Sequence, residues 1–197
     1  MKIRELNSIS RLYFGYRDIA KALQIGSESA RVSASRYVKQ GLLVRLKPDI
    51  YMLPERWRAA SPEERFALAN LTQSPSYVSL LTALDYHEIT TQIQRELIES
   101  VALKHTKALS FTECTFRYTK IHRNLYFGFV RRGDFFIATA EKALLDAVYL
   151  ASFGRYALDL PSIDQEKLDR KEILRLCRSY PLRTRKMLAA HGYLGSA

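Results

Sequence analysis

The chain has 197 residues, 47% of them apolar and 26% charged, proportions average for globular proteins that exclude the disordered, collagen-like and supercharged classes. With 31 Lys and Arg against 20 Asp and Glu the net charge is +11, which points to an acidic partner, most often nucleic acid. The longest apolar runs, such as Phe135 to Ala138 and Ala147 to Ala151, fall far short of the roughly 20 residues of a spanning helix, so no membrane partner is expected.

The basic character belongs to the ends. Residues 1–60 hold 12 Lys and Arg against 5 acids, residues 61–160 hold 11 of each, and residues 161–197 hold 8 against 4. The polar, Pro-containing stretch from Leu53 to Glu64 lacks apolar periodicity and marks the expected boundary, giving domains at 1–60 and 61–197. The N-terminus has charges but no apolar run or small-residue cleavage site after them, so a signal peptide is not expected and the location is read as cytoplasmic.

Three helical patterns come first. Ile3 to Leu12 carries apolar residues at 3, 6, 9 and 12, Arg17 to Leu23 carries Ile19, Ala20 and Leu23, and Ser27 to Gln40 follows across the turn Gln24-Ile25-Gly26. Ser27 suits the N-cap of the third helix and Gly41 its stop. At 100° per residue Ala30, Ala34, Tyr37 and Val38 share the inner side, while Glu28, Val32, Ser35, Arg36 and Lys39 fall outside. That outer face, with Ser27 and Ser29 at its start, offers cations and hydroxyls to phosphates and base edges, and an apolar Val32 to a thymine methyl. Leu42 to Leu46 and Ile50 to Leu53, joined by Lys47-Pro48-Asp49, read as a hairpin with Arg45 and Lys47 near its tip. Helix, turn, helix and hairpin together spell a winged helix-turn-helix, whose second motif helix enters the major groove while the wing approaches the backbone.

Beyond the boundary, apolar residues at 77, 80, 81 and 84 predict a helix starting at Pro75 or Ser76. Leu97 to Leu103 and Phe116 to Ile121 predict strands, and Leu125 to Arg131 with Phe135 to Ala138 a hairpin. Thr139 caps a helix from Ala140 to Leu150 whose buried stripe is Leu144, Ala147, Val148 and Ala151. A helix from about Asp169 to Tyr180 turns Ile173, Leu176, Cys177 and Tyr180 inward and ends at Pro181, and a short helix closes at Gly192. The fold class is therefore α+β: a winged helix-turn-helix, then a module with a small antiparallel sheet and C-terminal helices. Arg175, Arg178, Arg183, Arg185 and Lys186 form a candidate second basic surface.

Catalytic patterns are sparse. His87, His105, His122 and His191 lack metal-ligand spacing and read as surface or hydrogen-bonded side chains, and Cys114 and Cys177 stand in different segments, as reduced thiols. No Gly-rich phosphate loop or nucleophile elbow occurs, so no metal, cofactor or enzymatic activity is expected. Nuclease chemistry would fall to Glu141, Lys142 and Asp146, although Lys142 and Asp146 at i, i+4 more simply make an ordinary helical ion pair.

Three stretches taken together resemble the AbiEi-type antitoxins of bacterial type IV toxin-antitoxin systems: Arg17-Asp-Ile-Ala-Lys-Ala-Leu on to Tyr51, Ser79-Leu-Leu-Thr-Ala-Leu-Asp-Tyr-His, and Ile137-Ala-Thr-Ala-Glu-Lys-Ala-Leu-Leu-Asp. Ala140 stands where that family commonly has proline. The resemblance implies a repressor of its own operon that binds double-stranded promoter DNA, with inverted repeats the expected site, and a C-terminal domain that counteracts a nucleotidyltransferase-type toxin. Two other readings remain: a winged-helix regulator without a toxin, whose second domain senses a ligand or dimerises, and a nucleic-acid-processing enzyme.

Overall fold

The computed structural model describes residues 2–94, 96–111 and 114–194. The chain divides into two compact units, Met1–Arg65 and Phe66–Ala197.

The first unit opens with a 3₁₀ helix, Lys2–Ser8, where an amphipathic helix to Leu12 is expected. The spacing explains the difference: apolar residues every third position match the three-residue turn of a 3₁₀ helix, which seldom runs long. Helix α1 (Tyr16–Leu23) starts at Gly15, whose N–H donates to the Asp18 carboxylate at 2.9 Å. Helix α2 (Ser27–Lys39) has Gly26, not Ser27, as its N-cap, so the expected serine cap moves into the first helical position. Gln24 takes the left-handed residue of the intervening turn, with φ 54°. At the far end Gly41 stops the helix as expected, with φ 69°. Its N–H donates to Val38 O at 3.0 Å and the Leu42 N–H to Tyr37 O at 2.8 Å, the paired bonds of a glycine-terminated helix.

Small side chains at Ala30 and Ala34 let α2 approach α1, and both pack with Ile19, Leu23, Tyr37, Leu43 and Tyr51 in one core. Strands β1 (Val44–Lys47) and β2 (Ile50–Met52) pair antiparallel. The first starts later than expected because the Leu42 and Leu43 N–H groups both donate to Tyr37 O. Asp49 supplies the turn's left-handed residue at φ 60° after Pro48, and Leu46 is an extra residue in β1 between the pairs Arg45–Tyr51 and Lys47–Ile50. On the other edge of β2, Phe14 and Tyr51 exchange backbone bonds of 2.9 and 2.8 Å. The stretch expected to mark the boundary, read as lacking apolar periodicity, is largely helical. Helix α3 (Pro54–Ala59) has Pro54 in its first turn, where the missing N–H costs nothing, and buries Trp57. Helix α4 (Pro62–Thr72) follows, capped reciprocally: Ser61 N–H donates to Glu64 Oε2 at 2.8 Å and Glu64 N–H to Ser61 Oγ at 3.2 Å.

The second unit is built on a six-stranded sheet. Its strands are β3 (Ser76–Val78), β4 (Leu97–Ala102), β5 (Lys107–Phe111), β6 (Cys114–Lys120), β7 (Phe129–Arg132) and β8 (Phe135–Ala138), in the order β5-β6-β4-β3-β8-β7. The expected hairpin is present as the antiparallel pair β7–β8; β3 with β4 and β5 with β6 also pair antiparallel, but β4 with β6 and β3 with β8 run parallel, so the sheet is larger than the small antiparallel one expected, and mixed. The helix expected from Pro75 begins only at α5 (Leu80–Tyr86). Residues 76–78 are drawn into the sheet interior, where backbone bonds to β4 and β8 outweigh the helical spacing of the apolar residues. The expected strand from Leu125 starts at Phe129, after a 3₁₀ turn at Arg123–Leu125.

Helix α6 (Ala140–Ser152) is capped by Thr139, whose hydroxyl accepts from the Lys142 N–H at 3.3 Å. It is buried almost all round, beyond the stripe expected: Leu144, Ala147 and Val148 are buried as read, Ala151 is half-buried, and Lys142 and Asp146 are fully enclosed. Helix α7 (Arg170–Cys177) is capped by the Asp169 carboxylate, and Tyr180 lies in the turn beyond it. Pro181 then precedes α8 (Leu182–Ala190). The architecture is thus mixed α and β. Among the described residues no helix is long and apolar enough to cross a membrane.

Candidate nucleic-acid interface

Helix α2 separates its two faces as its sequence implies. Ala30, Ala34 and Tyr37 are buried and Val38 half-buried, whereas Ser27, Glu28, Ser29, Val32, Ser35, Arg36 and Lys39 are all exposed, Val32 to 70%. The Arg36 guanidinium lies 5.5 Å from the Tyr37 ring centre, a soft contact that leaves its donors available. Within Met1–Arg65, 13 Lys and Arg stand against 7 Asp and Glu, so the field around this helix favours an anion. In the hairpin Arg45 is exposed and Lys47 half-exposed, beside the turn at Pro48 and Asp49.

The sequence reading missed Arg31. Its guanidinium stands 4.2 Å from the centre of the Tyr16 ring and 3.9 Å from Glu28, and hydrogen bonds from Arg17 and Arg31 hold the Tyr16 phenol below its ordinary pKa. Arg31 falls between the inner and outer sets by angle. Its place one helical turn before Ser35 is the signal that puts it on the rim of the exposed face.

In the second unit Lys142 and Asp146 make the expected i, i+4 ion pair, but deep inside the protein. Both side chains are 0% exposed, 2.5 Å apart. The Lys142 ammonium donates three bonds: to Asp146 Oδ1, to the Tyr180 hydroxyl at 2.6 Å and to Leu125 O at 2.7 Å. Asp146 Oδ1 also accepts from the Tyr180 hydroxyl at 2.9 Å, and Oδ2 accepts from the Tyr77 and Ser79 hydroxyls, each at 2.9 Å. Every donor of the ammonium and every acceptor direction of the carboxylate is therefore used. Burial lowers the Lys142 pKa against the opposing pull of Asp146, and raises the Tyr77 and Tyr180 phenols well above their ordinary values. Gly128, at φ 71°, closes over the lysine stem: a Cβ there would lie 3.0 Å from Lys142 Cγ. Glu141 points elsewhere and accepts the Asp169 N–H at 3.2 Å. The three residues of the candidate nuclease group are thus not brought together at a surface that a phosphodiester can reach.

A second enclosed carboxylate, Glu99 on β4, is 1% exposed; it accepts the Tyr156 hydroxyl at 2.6 Å and an Arg117 donor at 3.5 Å. Burial raises its pKa despite those partners. A folded pKa above the unfolded one means the native state binds more protons between the two values, so this contribution to stability is complete below the unfolded pKa and lost as pH rises through the folded one. Glu99→Gln is expected to flatten the fall in stability as pH rises above the ordinary glutamate range, read as urea midpoints across a pH series. An unchanged slope would show that Glu99 does not titrate differently on folding.

Of the second basic group, Arg175 is held by Glu172 through two 2.6 Å bonds, while Arg178, Arg183, Arg185 and Lys186 are exposed around α7 and α8. His87 Nε2 lies 2.8 Å from Ala138 O, His122 Nδ1 accepts from the Asn124 N–H and His191 Nδ1 lies 2.9 Å from Met187 O, all hydrogen-bonded roles. Cys114 and Cys177 are buried in β6 and α7. Among the described residues no group of three or more His, Cys, Asp and Glu side chains is placed to hold a metal ion.

No family model matches the chain, and no curated protein matches it. The fold, however, has a solved counterpart. The crystal structure of the RV2827C protein from Mycobacterium tuberculosis superposes with a TM-score of 0.59 over 98% of this chain and 76% of that one, at 10% sequence identity. At that identity the likeness speaks for the fold alone.

Proposed function

We propose that this protein is a DNA-binding transcriptional autoregulator and the antitoxin of a type IV toxin-antitoxin system, of the AbiEi type its sequence resembles. The observation that carries the DNA-binding half is the outer face of α2. A helix anchored by two alanines and a tyrosine presents Arg36, Lys39, Ser35 and an exposed Val32 to solvent, next to a short hairpin bearing Arg45. In this reading Met1–Arg65 is a winged helix: α2 lies in the major groove, Glu28, Ser29, Val32, Ser35, Arg36 and Lys39 face base edges and flanking phosphates, and Arg45 and Lys47 meet the backbone. The antitoxin half rests on the resemblance of residues 79–87 and 137–146. A nuclease reading draws no support from the enclosed Lys142 and Asp146.

The test is binding to the DNA upstream of the gene, by fluorescence anisotropy across a salt series. Arg36→Ala and Lys39→Ala are each expected to weaken promoter binding by about tenfold and, where the lost contact is to phosphate, to lower the salt slope by about one. Arg45→Ala combined with Lys47→Ala is expected to weaken promoter and random duplex by a similar factor, since phosphate contacts position the protein without reading sequence. Promoter affinity and salt slope untouched in all these variants would remove α2 and the hairpin from the interface.

A further inference from the structure

Residues 173–197 contain no Asp or Glu but five cations. Arg175 is occupied by Glu172. Among the described residues, no acidic side chain forms a salt bridge with Arg178, Arg183, Arg185 or Lys186. Arg178 is the C-cap of α7 and Arg183, Arg185 and Lys186 fall within the first five residues of α8, and the Arg183 guanidinium lies 5.4 Å from the Phe153 ring centre. Apolar side chains lie among them. Leu182 is 58% exposed and Phe153 44%, and Leu182 stands one helical turn before Arg185 and Lys186. The backbone beneath is held in place from both sides, by the Tyr180 hydroxyl in the buried lysine network and by Thr184 Oγ1 at 3.1 Å from Ser152 Oγ. A surface so anchored loses little freedom when it binds.

We propose that Phe153, Arg178, Leu182, Arg183, Arg185 and Lys186 form a docking surface for a partner protein, on which carboxylates surround exposed aliphatic side chains. The charge calls for an acidic partner, because among the described residues none of these four cations forms a salt bridge. The apolar centre favours a protein over duplex DNA, because an exposed leucine and phenylalanine among arginines gain from an apolar counterpart, whereas a duplex keeps its base faces stacked inside. The proposal rests on the reading of the second unit as the antitoxin half of the protein, and gives that role a place.

Three probes separate the outcomes in the full-length protein: a fluorescent peptide built of glutamate and leucine, a leucine-free polyglutamate of equal length, and a random duplex DNA. The Glu/Leu peptide is expected to bind, to lose about tenfold or more in affinity with Arg183→Glu and Arg185→Glu together, and to be unaffected by Arg36→Ala with Lys39→Ala. Leu182→Ser is expected to weaken the Glu/Leu peptide and leave polyglutamate unchanged. Circular dichroism of each variant excludes unfolding as the cause of a loss. No binding of the Glu/Leu peptide, or binding indifferent to the charge reversal, overturns the proposal. So does a charge reversal that weakens only the duplex, which would assign the surface to nucleic acid. If peptide binding behaves as stated while the protein fails to protect cells from the product of the adjacent gene, the docking surface stands and the antitoxin reading falls.

Discussion

Lys142→Met is expected to destabilise the second unit by about 3–5 kcal/mol, and Asp146→Leu by a similar amount. The reason is what each single change leaves behind. Without the ammonium, the Asp146 carboxylate keeps three hydroxyl donors but loses its counter-charge at 0% exposure. Without the carboxylate, the Lys142 ammonium keeps only Leu125 O and the Tyr180 oxygen. Taking two charges out of water is costly, so the pair contributes little by itself, and the double variant Lys142→Met/Asp146→Leu is expected to cost clearly less than the two single changes added. Tyr180→Phe, which removes one hydroxyl bonded to both, is expected to cost about 1–3 kcal/mol. Urea unfolding of the four variants measures all of this. Single changes that cost under about 1 kcal/mol, the range of exposed pairs, would mean that solvent reaches the pair.

If the proposed function holds, a fragment beginning at Ala60 is expected to lose promoter binding yet still protect cells from the toxin which that reading assigns to the adjacent gene. Charge gives the first part. Residues 61–160 balance 11 Lys and Arg with 11 acids, so most of this fragment offers little long-range attraction to DNA, and the phosphate term supplies nearly all non-specific affinity. Local structure decides where to cut. The compact units meet between Arg65 and Phe66, inside α4, and a cut there would strip the helix of its first turn. Starting at Ala60 keeps the Ser61 and Glu64 bonds that cap it, a cap of the kind worth about 1 kcal/mol. Residues 1–60 alone are expected to bind DNA weakly and protect nothing. Circular dichroism must show both fragments folded. Loss of protection by a folded fragment, together with loss in full-length Arg36→Ala/Lys39→Ala, would make neutralisation depend on DNA binding and end the division of labour.

The sequence by itself settles those features whose cause lies within one or two turns of chain. The inner and outer faces of α2 follow from its helical angle, the helix stop at Gly41 from glycine's access to positive φ, and the turn at Pro48 and Asp49 from proline's preset φ. The cap at Thr139 follows from an oxygen within reach of the next N–H groups. What the tertiary structure decided depends on partners far along the chain. Residues 76–78 carry a helical apolar spacing, but β4 and β8, from 100 and 137, claim their backbone for the sheet. Lys107 to Phe111 gains its identity as β5 only from pairing with β6. The spacing of Lys142 and Asp146 makes an ion pair legible, but not its depth. That is set by Tyr77, Ser79, Leu125 and Tyr180, which arrive from three other segments and close the pair away from water. Periodicity reports which side of a helix faces inward; it carries no information on whether other elements cover the remaining sides.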